Sequence, residues 1–414
     1  MPDEPVDEAA EKPARKRAAK KAAPAAPERE FDIVLFGATG FTGELTAEYL
    51  AAHAPPGCRW ALAGRNTAKL EEVRRQLTAI DPALSSLALL HADVADPSSI
   101  DDVASRARVV ITTVGPYLAY GEPLVAACAK HGTDYVDLTG EPEFVDRMYL
   151  KYHETAVASG ARIVHACGFD SIPHDLGAYF TVKHLPGGEP ISVRGVVRSA
   201  AQFSGGTFHS AMGAFSRARQ MKQAFEERRR VEGRPSDGRS VKSATGRPAR
   251  DSELGYWLLP LPTIDPQIVL RSAAALSAYG PKFSYGHYAG LKTLRYTVGG
   301  ALGVGALAVA AQVKPVREAL KKRVPQGEGP SESRRAKSWF TVDFVGSGGG
   351  KSVHTRVSGG DPGYTETAKM LAESALSLAY DDNPKVAGQV TTAVAMGDAL
   401  TERLERAGIR FEVV

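Results

Sequence analysis

Cysteine is nearly missing from this chain: Cys58, Cys128 and Cys167 stand alone and widely spaced among 414 residues. Three thiols make no disulfide framework, and their scarcity predicts a reducing, cytoplasmic setting. A leader with an apolar core is not expected, because the first thirty residues are a charged run instead. An acidic block (Asp3 to Glu11) gives way to a Lys, Arg, Ala and Pro stretch (Lys12 to Pro27), which predicts a disordered, solvated tail over 1–30. A large excess of one charge is lacking too, the net being +4. Without zinc-finger spacing or a basic motif interleaved with aromatics, nucleic acid is not an expected partner. What remains has the composition of a soluble globular protein long enough for two cores.

The most informative segment is 31–43, Phe-Asp-Ile-Val-Leu-Phe-Gly-Ala-Thr-Gly-Phe-Thr-Gly. An apolar strand runs into three glycines spaced by two residues, and a helical stretch (Glu44 to Ala52) follows. Gly37 lets the chain turn off the strand, Gly40 clears the backbone for a pyrophosphate, and Gly43 lets the helix pack closely. Thr39, Phe41 and Thr42 lie between them, where the helix start offers free amides to phosphate. This context separates a dinucleotide-binding turn from an ordinary one.

One further absence selects the cofactor. NAD enzymes of this pattern carry an acid at the end of the second strand to hold the ribose hydroxyls. Here Arg59 to Ala63 ends in Ala-Gly-Arg-Asn. Arg65 suits a 2′-phosphate, with Asn66 and Thr67 as added donors or, for Thr67, a helix cap. NADP(H) is therefore expected, against the alternative that Arg65 is a solvated loop charge. Asp93 ends a third strand (Leu87 to Leu90), where an adenine edge is read. Val114, Gly115 and Pro116 end a fourth (Val109 to Val114), on the nicotinamide side.

Alternating strands and helices continue to about Phe169, predicting a doubly wound parallel sheet over 31–172. A helix from about Pro173 leaves it, and Ile191 to Arg198 opens a second domain over 173–395. Within the second domain, 217–250 holds eleven Lys or Arg against four acids. That pattern reads as a helix trailing into a mobile basic loop at 226–250. Residues 296–313 hold no charge. Three readings fit them: a buried or substrate-lining segment, a helix at a bilayer surface, or a short membrane span.

Three segments carry a family resemblance: Gly-Ala-Thr-Gly-Phe-Thr-Gly at 37–43, Thr-Val-Gly-Pro-Tyr at 113–117 and Gly-Phe-Asp-Ser-Ile-Pro-His-Asp-Leu-Gly at 168–177. Tyr-Val-Asp-Leu-Thr-Gly-Glu at 135–141, Phe-Ser-Gly-Gly-Thr at 203–207 and Gly-Asp-Pro-Gly-Tyr at 360–364 support it. The chain resembles the saccharopine dehydrogenase-like oxidoreductases, and within them the trans-acting enoyl reductase branch. The resemblance implies a Rossmann domain for NADP(H), an α+β mixed-sheet substrate domain with residues 396–414 returning toward the first domain, and reduction of an acyl or polyketide chain, free or carrier-bound, in lipid or glycolipid synthesis. An amino-acid dehydrogenase of the saccharopine type and a membrane-bound nucleotide scaffold without turnover are the rival readings. A homodimer, and peripheral contact with the inner face of the plasma membrane, complete the expected partners.

Hydride transfer to an enoyl group leaves an enolate that needs an oxyanion partner and a proton. Tyr117, with Tyr120 as its neighbour, is the expected source, against packing roles for both. Gly168, Asp170 and Ser171 suit a helix start first and a cofactor-contacting turn second. His165, Cys167 and His174 match no common zinc spacing, so no metal is expected.

Overall fold

The computed structural model describes residues 28–201, 205–324 and 329–414; nearly all of the charged tail, and Ser204 of the 203–207 motif, lie outside the described residues. The first half alternates strand and helix: β1 (Phe31–Phe36), α1 (Phe41–His53), β2 (Trp60–Gly64), α2 (Thr67–Leu77), β3 (Ala88–His91), α3 (Pro97–Arg106), β4 (Ala107–Thr112), α4 (Tyr117–Tyr120), α5 (Glu122–His131), β5 (Asp134–Asp137), α6 (Pro142–Ser159) and β6 (Arg162–Val164). α7 (Ile172–Lys183) then leads to β7 (Ile191–Ala200), α8 (Gly205–Ser216), α9 (Ala218–Glu232), β8 (Ser240–Ser243), β9 (Ala249–Arg250), β10 (Trp257–Pro260), α10 (Asp265–Ala275) and β11 (Lys282–Leu291). After these come α11 (Leu294–Gln312), α12 (Lys314–Arg323), α13 (Glu332–Arg335), β12 (Trp339–Gly348) and β13 (Lys351–Gly359). The last elements are α14 (Thr365–Tyr380), β14 (Gly388–Val390), α15 (Thr392–Ala395), α16 (Gly397–Arg406) and β15 (Arg410–Val413).

The first sheet has the order β14-β6-β5-β4-β1-β2-β3. Every pairing in it is parallel. β1 is buried along its whole length, as a central strand covered on both faces must be. Chain order reverses between β1 and β4, and the crevice outside the strand ends at that point is where such sheets take ligands. The second sheet runs β15-β13-β12-β7-β11-β10-β9, with β8 beside β11. Its β7/β11 and β8/β11 pairs are parallel and the others antiparallel, so it is a mixed sheet.

Two segments differ from the sequence expectation. The chain re-enters the first sheet before 396–414: β14 pairs with β6, and α14 packs on α1, β1, β4 and β5, with α16 of the 396–414 segment packed on α14 in turn. β15 instead closes the edge of the second sheet against β13. The basic stretch at 226–250 is not a free loop, because α9 runs to Glu232 and β8 and β9 follow as strands of the second sheet.

α7 packs against the second sheet, and the approach is close at Gly177. A Cβ there would stand 2.3 Å from Cε2 of Phe344 and 2.9 Å from Cγ2 of Val357. Gly177→Val is expected to cost about 1–3 kcal/mol of stability through overpacking. Chemical denaturation of the variant checks this.

Candidate active site at the strand ends

The turn after β1 has the shape a dinucleotide requires. Gly37 has φ +94°, and a Cβ on it would strike Oγ1 of Thr113 at 2.7 Å and Cγ2 of Val114 at 2.8 Å. A Cβ on Gly43 would stand 2.2 Å from the Gly37 carbonyl oxygen, so this glycine sets the distance between α1 and the turn. Gly40 is exposed, and its Cβ would meet nothing nearer than 3.6 Å, which leaves room for a phosphate. Gly40 is also the N-cap residue of α1 and supplies no side-chain cap. The first backbone bond of the helix is donated by the Glu44 amide to Gly40. The amides of Phe41, Thr42 and Gly43 are left at the positive end of the helix dipole, where an anion is favoured. Thr39 is half-buried beside them.

At the end of β2, Arg65 is exposed and takes no ion-pair partner among the described residues. A planar cation held free at this place fits a 2′-phosphate. Asn66 has a different task from the one expected of it. Its Oδ1 accepts from the Lys69 amide at 3.0 Å, so Asn66, not Thr67, caps α2. Asp93 also shapes the backbone: its Oδ1 accepts from the Ala95 amide at 3.0 Å in the turn after β3. Val114, Gly115 and Pro116 follow β4 and meet the glycine turn, where Thr113 Oγ1 donates to the Gly37 carbonyl at 3.0 Å.

Tyr117 is not the proton source expected from the sequence. It is buried, its hydroxyl donating to the Thr112 carbonyl at 3.1 Å and accepting from the Leu138 amide at 3.4 Å. Burial, with the nearby Asp137 charge, pushes its pKa well above the ordinary tyrosine value. This hydroxyl ties the ends of β4 and β5 together. Tyr120 is 46% exposed and lies outside the cavity described below.

Two carboxyl groups near these strand ends have raised pKa values. Glu141 accepts from the amides of Tyr117 and Leu118, each at 3.0 Å, and from Ser210 Oγ at 3.3 Å. Burial raises its pKa against the pull of those donors. Asp170 follows β6, with one carboxylate oxygen 3.1 Å from the place a Cβ on Gly140 would occupy. Burial first, and the charge of Asp265 second, push its pKa up to about 7. Ser171 stands at the N-cap of α7, yet its hydroxyl makes no cap bond and is buried without a partner. Gly168 and Phe169 are held from the other side: a Cβ on Gly168 would lie 3.0 Å from Thr367, whose Oγ1 accepts from the Phe169 amide at 3.1 Å.

Asp137, at the end of β5, organises this corner. Its carboxylate accepts from Tyr135 Oη at 2.8 Å and from the amides of Thr139 at 3.1 Å and Ala166 at 2.9 Å, and lies 2.7 Å from His165 Nδ1. His165 and His174 consequently sit in different surroundings and form no common site with Cys167. His174 lies instead with Asp265 and His287, their donor atoms all within 4.8 Å of one another. His174 Nδ1 is 2.7 Å from Asp265 Oδ1, an ion-pair distance without hydrogen-bond alignment, and His287 Nε2 is 3.5 Å from Oδ2. Burial pushes the His287 pKa down to about 4, while burial of Asp265 is outweighed by the two imidazoles, which hold its pKa low. A neutral imidazole and an anionic carboxylate are the forms that bind a metal, and also the forms that pass a proton. Asp265 and His287 come from separate elements of the second domain, so no spacing in the sequence could bring them to His174.

A cavity of about 430 Å³ adjoins the strand ends. Pro116, Leu118, Phe144, Met148 and Met221 give it apolar walls, and Glu141 and Ser210 place polar atoms in it. A wider depression of about 670 Å³, around Ser192, Lys282 and Lys351, touches none of the strand-end residues and belongs to the second sheet. The glycine turn and Arg65 fit NADP(H), with the pyrophosphate at the start of α1 and the 2′-phosphate at Arg65. Gly43→Ala should abolish NADPH binding in a fluorescence titration, because the new methyl enters the turn. Arg65→Ala should weaken NADPH about ten- to a hundredfold by loss of a charge-assisted contact, and leave NADH binding unchanged.

The comparisons with known proteins agree with this geometry. Residues 33–164 match the saccharopine dehydrogenase NADP binding domain family. A Mycobacterium tuberculosis H37Rv protein, provisionally named a trans-acting enoyl reductase, is 40% identical, over 94% of this chain and 98% of its own length. A trans-acting enoyl reductase of Mycobacterium bovis BCG is 38% identical, over 92% of this chain and 97% of its own. Saccharopine dehydrogenase (L-Glu forming) of Saccharomyces cerevisiae shares the fold with a TM-score of 0.54 at 13% identity, over 92% of this chain and 99% of that one. With the cofactor turn, the free Arg65 and the mixed second sheet in place, the chain belongs to the saccharopine dehydrogenase-like oxidoreductases, in the branch of the trans-acting enoyl reductases.

Proposed function

We propose that this chain is an NADPH-dependent enoyl reductase that acts in the cytoplasm on an acyl or polyketide thioester, free or on a carrier arm, in lipid assembly. The observation that carries the reading is the cavity beside the end of β4, apolar along Pro116, Leu118, Phe144, Met148 and Met221 and charged along Glu141, Glu143, Arg147, Arg217 and Lys321. An aliphatic chain fits the apolar part. Of the cations that line the cavity, Arg147 and Arg217 are paired with Glu143, which leaves Lys321.

NADPH supplies the hydride that reduces the β-carbon of the enoyl group. The α-carbon must then take a proton, and we assign that proton to the carboxyl of Asp170, which lies beside Gly140, the residue before the cavity-lining Glu141. With a pKa of about 7 the group is part protonated at neutral pH, the balance that favours acid catalysis. Glu141, clamped by two backbone amides, orients α4 and holds the Pro116 turn against the cavity.

NADPH consumption with a long trans-2-enoyl thioester, run beside saccharopine-forming reactants, tests the function. Turnover with the thioester is expected; turnover with the amino-acid reactants alone would overturn it. Asp170→Asn should lower kcat about a hundredfold or more with NADPH affinity intact, and should remove the fall in rate above pH 7. The same group links to stability. Its folded pKa lies above the ordinary 3.8, so its stabilising contribution is complete below pH 3.8 and is lost as pH rises through about 7. Asp170→Asn should therefore be more stable than the parent at pH 8, measured by denaturant titration.

A further inference from the structure

α11 is a nineteen-residue helix left almost bare: only 11% of its apolar window is buried, at a mean hydropathy of 1.4. One side rests on α8 and β10. On the other, Leu294, Val298, Leu302, Val309 and Val313 fall within one sector of roughly 100° at helical periodicity, all exposed. Leu302 and Val309 are 70% and 69% exposed. Burying such a stripe inside the molecule is what the sequence allowed for; the structure turns it outward.

We propose that this face docks on an anionic lipid bilayer, with α11 lying in the interface and α12 beside it. The charge is complementary: residues 292–324 carry Lys292, Arg295, Lys314, Arg317, Lys321, Lys322 and Arg323 against the single acid Glu318. A second copy of the chain is disfavoured, since pairing this face with itself would set like charges together. A protein partner is disfavoured by the middle of α11, where residues 298–311 are Val, Gly, Ala and Leu alone and offer no polar side chain to read. A transbilayer span is excluded by the attachments at both ends. β11 ends three residues before α11 inside the second sheet, and His209 Nε2 lies 2.7 Å from the Val324 carbonyl just past α12. The docked face includes Lys321, which lines the cavity, and α8 links that face to Glu141 through Ser210. On the enoyl reductase reading, an insoluble acyl chain reaches the cavity from the lipid side.

The test is co-sedimentation of the full chain with vesicles of neutral phosphatidylcholine and of phosphatidylcholine mixed with phosphatidylglycerol. Binding to the anionic vesicles, weakened by salt, is expected. L302D/V309D should reduce it at least about tenfold, and K314E/K322E/R323E on the order of a hundredfold. NADPH binding by both variants, read separately, shows that they are folded and keeps the result independent of the reductase reading. Failure to bind either vesicle overturns the proposal, as does a dimer in sedimentation velocity that L302D/V309D dissolves, or capture by an acidic acyl carrier protein alone.

Discussion

The buried carboxylate of Asp137 fixes where two neighbouring strand ends stop, and the rest of the site is arranged from there. A charge with no exposure would be costly without donors, and Asp137 is met by a phenol, an imidazole and two amides. One of those amides belongs to Ala166, whose φ of 60° is rare for a residue with a side chain. The bond from Ala166 helps to hold that conformation, and the turn it makes points the chain toward Gly168 and Asp170. The other amide, of Thr139, leads into Gly140 and Glu141. A single carboxylate thus anchors both the turn that carries Asp170 and the turn that brings Glu141 to the cavity wall.

The two sheets share the work unequally. The first supplies the glycine turn, the exposed Arg65 and the ends of three strands. The second supplies Asp265 and His287, which raise or balance the charges beside Asp170, and the frame on which α11 and α12 are mounted. α7 joins them, with His174 on its first turn next to the charges of the second domain and Asp175 held by Thr392 Oγ1 and the Ala393 amide. Buried apolar residues of both sheets, Ile33 and Val164 of the first and Phe344 and Val357 of the second, belong to one continuous core.

What could be read in advance was local. The strand before Gly37, the glycine spacing, the helix after it and the basic end of β2 lie within about forty residues, and each has a stereochemical reason visible in the residue types. Tyr117 misled because strand-end position suggests chemistry, while burial of its hydroxyl depends on β5, which sequence periodicity places but does not orient. Asn66 and Thr67 are both good caps, and only the backbone geometry chose between them. Glu141 was part of a quoted motif without a role, since its role depends on amides from another turn. α11 was ambiguous because length and apolarity are the same for a core helix and a lipid-facing one; exposure decides, and exposure is tertiary.

The first sheet is closed by a strand from far along the chain, since β14 at 388–390 pairs with β6 at 162–164. During synthesis, therefore, the glycine turn and all six early strands emerge long before the sheet has its edge or α14 has covered its face. The nascent nucleotide domain waits, with one side of β6 unpaired, while the whole substrate domain is made. Translation must pass residue 390 before that edge can be covered.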